Sequence, residues 1–471
     1  MEFNSLLFLC FLLIIVTLNY FLPSRYRLSL LLFSSFSFIG YFSLASLVAV
    51  LFFSIINFYL AKNSSGKALL YFIALLLNIS AIVLFNYFNS SAQGIDFKLS
   101  AVSFNIGSFI IALGLSFYSL QNIAYITDIY FKRATPQHSI LKYVLYNSFF
   151  TKVVSGPVML PNELIPQMNG DRPSAEMLAS GINRFLIGLL KKMVIADRLF
   201  PAVHAIFDTP DTFNGFTTLT GVYLFTIQLY FDFSGYTDMA IGAAKLLGYD
   251  LKENFNLPLR SASVTEFWRR WHISLISWFS NYIYYPIVYR LRTYKKTAVF
   301  IGIAATFFVS AVWHGIGSTF LLWALCHVIY MSFELLTKSF RTNLSNYIPP
   351  LFYKSLSIFI VFNAVCFSNI FFRSHSATQA VRLIKNIFSN FIPVNWLRDF
   401  VAPLAQGGNL NEQFNGIITV VITLSVLLFE RSINKKANET KINMGYLIVC
   451  VLLIMIFGVF SNAERFIYMQ F

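Results

Sequence analysis

The chain has 471 residues and a formal net charge of +15, from 35 basic and 20 acidic side chains; 57% of it is hydrophobic, 18% aromatic and only 12% charged. A soluble domain carries about 25% charged residues, and a mean hydropathy of +0.65 over this length exceeds what one or two anchors supply, so a soluble protein is excluded. The basic excess sits in short loops between apolar runs, which is the positive-inside pattern of a membrane protein and not a nucleic-acid footprint.

Apolar runs able to cross about 30 Å of hydrocarbon recur near 4–22, 28–43, 45–61, 68–88, 103–121, 179–195, 216–234, 273–289, 297–313, 318–336, 353–372, 414–430 and 445–461. They predict an all-α integral membrane protein of about 11–13 transmembrane helices, with room for runs that re-enter or lie along the interface. No basic segment precedes 4–22, and Arg25, Arg27 and another run follow, so this is a first transmembrane helix and not a signal peptide. Arg25 and Arg27, Lys62 and Lys67, and Lys132, Arg133 and Lys142 follow the first, third and fifth runs; Arg431, Lys435, Lys436 and Lys441 precede the last. Placing these inside puts both termini outside. No repeat or soluble domain interrupts the chain, so one membrane domain over 1–471 is expected; the longest polar stretches are near 159–178 and 385–413. Cys10, Cys326, Cys366 and Cys450 all lie in apolar runs without a CxxC and act as small hydrophobes.

The stretch 228–290 is different. Asp232, Asp238, Asp250, Glu253, Arg260, Glu266, Arg269, Arg270 and His272 crowd into it between aromatics. Ionisable groups at membrane depth are costly and line cavities or pair with one another, which suggests short embedded helices walling a polar cavity on the cytoplasmic side. Of the six histidines, His138, His204 and His375 have ordinary contexts. His314 lies in Trp313-His-Gly315, where the glycine permits close backbone approach, His327 lies inside an apolar run, and His272 closes the charged stretch. Singly, each is better explained as a buried structural histidine; as a trio beside the charged stretch they favour a site. A buried imidazole stays neutral and available as a base: it can take a hydroxyl proton during attack on a thioester and return it to the leaving thiolate, while a second polar group orients it or holds the oxyanion. With no HExxH, and with His314 and His327 not at i, i+4, a metal is the weaker reading.

Long ordered motifs carry a resemblance. Tyr230-Phe-Asp-Phe-Ser-Gly-Tyr-Thr-Asp-Met-Ala-Ile-Gly242, Glu253-Asn-Phe-Asn256, Thr265-Glu-Phe-Trp-Arg-Arg-Trp-His-Ile-Ser-Leu275 and Trp313-His-Gly315 resemble the membrane-bound O-acyltransferase superfamily, nearest the bacterial alginate O-acetylation branch and its peptidoglycan- and cellulose-acetylating relatives, with the teichoic acid D-alanine transferases more distant. Ser116-Phe-Tyr-Ser-Leu-Gln121, Ser155-Gly-Pro157, Gly188–Arg198 and the tail Phe466–Phe471 agree. The resemblance is dense over about 115–336, the expected catalytic core, and loose elsewhere. It implies a tunnel through the membrane domain, with His314 as the catalytic histidine, His272 as the second essential polar position, and His327, Asp232, Asp238, Arg269, Arg270 and Trp313 as supporting candidates. It also implies an acyl thioester donor, acetyl-CoA or another acyl thioester, entering from the cytoplasm; no bound cofactor or metal is expected. The acceptor is then an extracytoplasmic polysaccharide or peptidoglycan, acylated directly or through an SGNH-type transferase, at a bacterial inner membrane. This chain departs from its relatives at Ser280-Asn281, where they usually carry Arg-Asp, and at Ile287-Val288, where they often carry Gly-Gly; the change bears on the substrate more than on the chemistry.

Two other classes suit the composition. A transporter or flippase of acyl groups or lipid-linked sugars predicts paired halves or helices broken at matching positions, which the sequence lacks. A membrane scaffold predicts dispensable histidines.

Overall fold

The computed structural model describes residues 1–91, 96–99, 102–105, 113–389, 391 and 410–460. Helix dominates, as expected where backbone groups in hydrocarbon must be satisfied within their own segment. Six described helices are long and apolar enough to cross a membrane: Leu44–Ser64, Ala68–Phe88, Lys296–His314, Ser318–Leu336, Pro350–Arg373 and Gly416–Ala437; Leu6–Phe21 and Met444–Phe457 are apolar but shorter. The chain is therefore an all-α, multi-pass integral membrane protein. Most of the polar stretch 385–413 and the tail 466–471 lie outside the described residues.

The apolar run at 103–121 is not one helix. Val102–Asn105 pairs antiparallel with Asp96–Leu99, and Leu115–Tyr130 is a helix. Both strands alternate apolar and polar residues, a period of two that a short apolar window conceals. The run at 273–289 is also broken, into Ile273–Phe279, a π-helical turn Ser280–Tyr284 and Tyr285–Arg290. The departing residues Ser280-Asn281 therefore open the π turn.

The interior is organised around Gly215–Leu246, a 32-residue helix buried along nearly its whole length. It packs on Ala175–Leu189 through two glycine pairs. A Cβ at Gly188 would stand 2.6 Å from the Gly235 carbonyl oxygen, and one at Gly242 would stand 2.8 Å from that of Gly181. Seven residues separate the glycines on each helix, so both pairs fall on one face, the small-residue packing by which membrane helices approach closely. That closeness brings two buried ion-pair groups together. Asp238 accepts from Arg184 (2.7 Å) and Lys191 (2.8 Å); Lys192 lies 2.7 Å from both Asp232 and Asp197. Arg184 also pairs with Glu253, which ties the charged stretch to this helix pair.

The basic loops gather on one face. Arg27 donates to the Gly170 carbonyl (2.8 Å), Gln167 bonds the Asp250 backbone, and Ser65, Lys132, Arg133 and Lys142 line a common cavity with Pro161, Asn162, Ile165 and Pro166.

Candidate functional site

Two segments deliver the histidines that the sequence singles out. His314 is the last residue of Lys296–His314, and the helix end is held by Asn86, whose side-chain amide donates to the carbonyls of Val312 (2.7 Å) and Trp313 (3.1 Å). Gly315 is needed there because a Cβ would stand 2.5 Å from the Phe320 ring. That ring, 6.1 Å from the imidazole, joins Trp323 (5.3 Å) and Phe372 (5.1 Å) in an aromatic box around His314.

His272 arrives by strain. It precedes Ile273–Phe279 in a left-handed conformation, φ 44° and ψ 51°, which costs a non-glycine residue on the order of 1–3 kcal/mol. The segment 254–256 clamps it from both sides. Asn256 N–H donates to the Arg270 carbonyl (3.0 Å), Ile273 N–H donates to the Asn254 carbonyl (2.9 Å), and Ser274 donates to Asn254 Oδ1 through its hydroxyl (2.6 Å) and its N–H (3.2 Å). Ser274 Oγ in turn accepts from Val158 N–H (2.8 Å). The ring rests edge-on against Phe233, 4.7 Å away.

The Trp313 indole connects the two. Its centroid is 4.8 Å from His314 and 6.5 Å from His272, and Phe117 packs on it at 5.5 Å. All three residues are more than nine-tenths buried. The Trp313 Nε1–H is buried without a hydrogen-bond partner among the described residues, although a buried indole normally finds one. The site thus holds two imidazoles and a buried donor that no described residue engages.

His327 is a neighbour with a different environment. It is buried behind Trp323, 5.2 Å away. Its Nδ1 accepts from Trp268 Nε1–H (3.2 Å) and its Nε2 lies 3.1 Å from Ser368 Oγ. The Ser368 hydroxyl donates to the Val365 carbonyl (2.8 Å), so it accepts from His327, and the proton sits on Nε2. Both ring nitrogens are engaged.

Three of the four charged candidates are held in ion pairs. Asp232 and Asp238 are held in the ion pairs described above. Arg270 pairs with Glu266 (2.6 Å), and Arg269 is exposed. Among the described residues no three His, Cys, Asp or Glu side chains are placed to hold a metal ion. Asn86, Asn254 and Ser274 brace the site without standing out in the sequence as candidates. The signal for Asn86 is an amide inside an apolar run; Asn254 and Ser274 lie in the motifs 253–256 and 265–275, and only the tertiary structure reveals their bracing role.

A family model described as MBOAT, membrane-bound O-acyltransferase family, matches residues 132–377. A probable alginate O-acetylase AlgI of Azotobacter vinelandii is 35% identical over 297 residues, 60% of this chain and 59% of that protein. A peptidoglycan O-acetyltransferase of Helicobacter pylori is 28% identical over 354 residues, 69% of this chain and 66% of that protein. A teichoic acid D-alanyltransferase of Bacillus subtilis is 32% identical over 197 residues, 41% and 48% of the two chains. The chain thus matches the alginate relative over about three fifths of that protein's length.

Proposed function

The chain belongs to the membrane-bound O-acyltransferase family, and from that premise we propose that it moves an acyl group, acetyl by kinship, from a cytoplasmic thioester to an extracytoplasmic polysaccharide. The observation that carries this reading is the buried pair His272 and His314 on either side of the Trp313 indole. His314 is the base: it takes the proton of the attacking hydroxyl as that oxygen bonds the acyl carbon. The C–S bond then breaks, and the thiolate receives the proton. Trp313 Nε1–H supplies the developing oxyanion with a hydrogen bond, which is the use its unpaired donor suits. His272, locked by Asn254 and Ser274, fixes the opposite wall. Asp232 and Asp238 hold the embedded helices together, and His327 is structural.

The donor is acetyl-CoA and the membrane is the bacterial inner membrane. The convergence of the basic loops on one face supports a cytoplasmic donor side, with both termini outside. The relatives' names, alginate O-acetylase and peptidoglycan O-acetyltransferase, support a cell-envelope glycan as the final acceptor, reached through an SGNH-type partner. Family membership favours group transfer over transport without chemistry.

The test compares wild type with His314→Ala in lipid, using radiolabelled acetyl-CoA and following thiol release and label transfer. Transfer is expected to vanish while the variant remains monodisperse; transfer at the wild-type rate overturns the assignment.

A further inference from the structure

The segment 280–296 connects the two elements that carry the histidine pair. It follows Ile273–Phe279, which His272 precedes, and leads into Lys296–His314. After the π turn Ser280–Tyr284 it continues as Tyr285–Arg290 and closes on the 3₁₀ turn Arg292–Tyr294. No side chain from 280 to 296 is buried, yet the segment is tied to both neighbours. The Tyr282 ring packs on Trp278 at 5.2 Å, and a Cβ on Gly302 would stand 2.8 Å from the Val288 side chain. The Tyr282 hydroxyl donates to Asp128 (2.7 Å), which lines the cavity of the basic loops, so the segment lies on the face where those loops meet.

Its charge is one-sided. Arg290, Arg292, Lys295 and Lys296 are all exposed, and no Asp or Glu occurs between Glu266 and Glu334. Among the described residues none of the four cations is ion-paired. Exposed tyrosines at 285, 289 and 294 alternate with them. The Arg292 guanidinium lies 4.6 Å over the Tyr289 ring and donates to the Tyr289 carbonyl (3.2 Å). Lys295 N–H donates to the Arg292 carbonyl (3.1 Å), which closes the turn. To do so Lys295 takes φ 50° and ψ −116°, a conformation that glycine adopts freely and other residues adopt under strain. Keeping a lysine there costs stability that glycine would not, and the charge is what the lysine adds. Lys296 opens a helix long and apolar enough to cross the membrane. The cations therefore stand where that helix leaves hydrocarbon, the level of lipid phosphates and of interfacial tyrosines.

We propose that Arg290, Arg292, Lys295 and Lys296 form a binding surface for the headgroup of an anionic phospholipid. The uncompensated charge selects an anion, and the tyrosines and the adjoining membrane helix select one that is held in the bilayer. A lipid bound there pins the connection between the His272 and His314 elements.

The full chain in detergent is titrated with phosphatidylglycerol and with phosphatidylcholine of the same acyl chains, and bound lipid is counted by native mass spectrometry. Wild type is compared with Arg290→Gln/Arg292→Gln/Lys295→Gly/Lys296→Gln and with Lys295→Gly alone, each checked for monodispersity. Wild type is expected to prefer phosphatidylglycerol, and a cation near an anionic headgroup contributes roughly fivefold. The quadruple variant should therefore lose on the order of a hundredfold or more in affinity for phosphatidylglycerol while its affinity for phosphatidylcholine holds. Lys295→Gly should lose about fivefold without a lower melting midpoint, because glycine relaxes the strained backbone as it removes the charge. Unchanged phosphatidylglycerol binding in the quadruple variant overturns the proposal, as does an equal loss for both lipids. A lower melting midpoint in Lys295→Gly with unchanged lipid preference gives the lysine a structural role and overturns it too. Unchanged lipid preference in the quadruple variant with loss of binding to polyglutamate assigns the surface to an acidic protein and overturns it as well.

Discussion

Replacing His327 with leucine separates the two kinds of buried histidine. Leucine is close to imidazole in bulk, so little cavity opens, and the effect is carried by hydrogen bonds. Trp268 Nε1–H loses its acceptor at 3.2 Å and Ser368 loses the Nε2–H donor at 3.1 Å. An orphaned buried donor costs about 1–3 kcal/mol, and a lost neutral hydrogen bond costs about 1 kcal/mol. Ser368 keeps its bond to the Val365 carbonyl, so the sum is about 2–4 kcal/mol. The assay is a denaturant titration in detergent, paired with transfer activity on the fraction that remains folded. The unfolding midpoint should fall while that fraction still turns over. Adding Trp268→Phe removes the orphaned donor, so the double variant should be more stable than additivity predicts. Loss of transfer with an unchanged midpoint would place His327 in the chemistry and refute this account.

Two further outcomes follow from the charged groups. Asp238→Asn leaves Arg184 and Lys191 without their shared buried carboxylate; breaking such a pair costs about 3–5 kcal/mol, and adding Lys191→Met should recover part of the lost unfolding midpoint. Asp128 tests the sign of a pH effect. Burial lifts its carboxyl above the usual carboxylate range, against the lowering influence of the Tyr282 hydroxyl and Arg133. A carboxyl with a raised pKa binds its proton more tightly in the folded state, so stability falls as pH rises from the unfolded pKa through the folded one. Asp128→Asn should therefore melt higher than wild type at neutral pH and no higher below the ordinary carboxylate range; equal melting at both would refute the burial argument.

Much of the architecture was legible because it follows from one solvent. Hydrocarbon demands long apolar helices, and the runs at 45–61, 68–88, 297–313, 318–336 and 353–372 all lie within described helices long and apolar enough to cross. The run at 103–121 misled because hydropathy ignores period, and Val102–Asn105 alternates. The pairing of His272 with His314 was legible only as a crowding of unusual residues. Forty-two positions separate them in sequence, and what joins them, the Trp313 ring and the Asn254 clamp, is tertiary. His327 shows the opposite limit. An apolar context cannot tell a free imidazole from one whose two nitrogens are engaged, because the partners Trp268 and Ser368 lie 59 and 41 residues away.

The make-up of the candidate site has an energetic reason. Moving a charged group to membrane depth costs several kcal/mol at the least. The imidazoles of His272 and His314 and the indole of Trp313 are buried groups that carry no fixed charge. The same logic explains why the ionisable residues of the embedded stretch are paired: Asp232 with Lys192, and Asp238 with Arg184 and Lys191, cancel charges that the membrane would otherwise penalise. Work at this depth is left to groups that act without a standing charge.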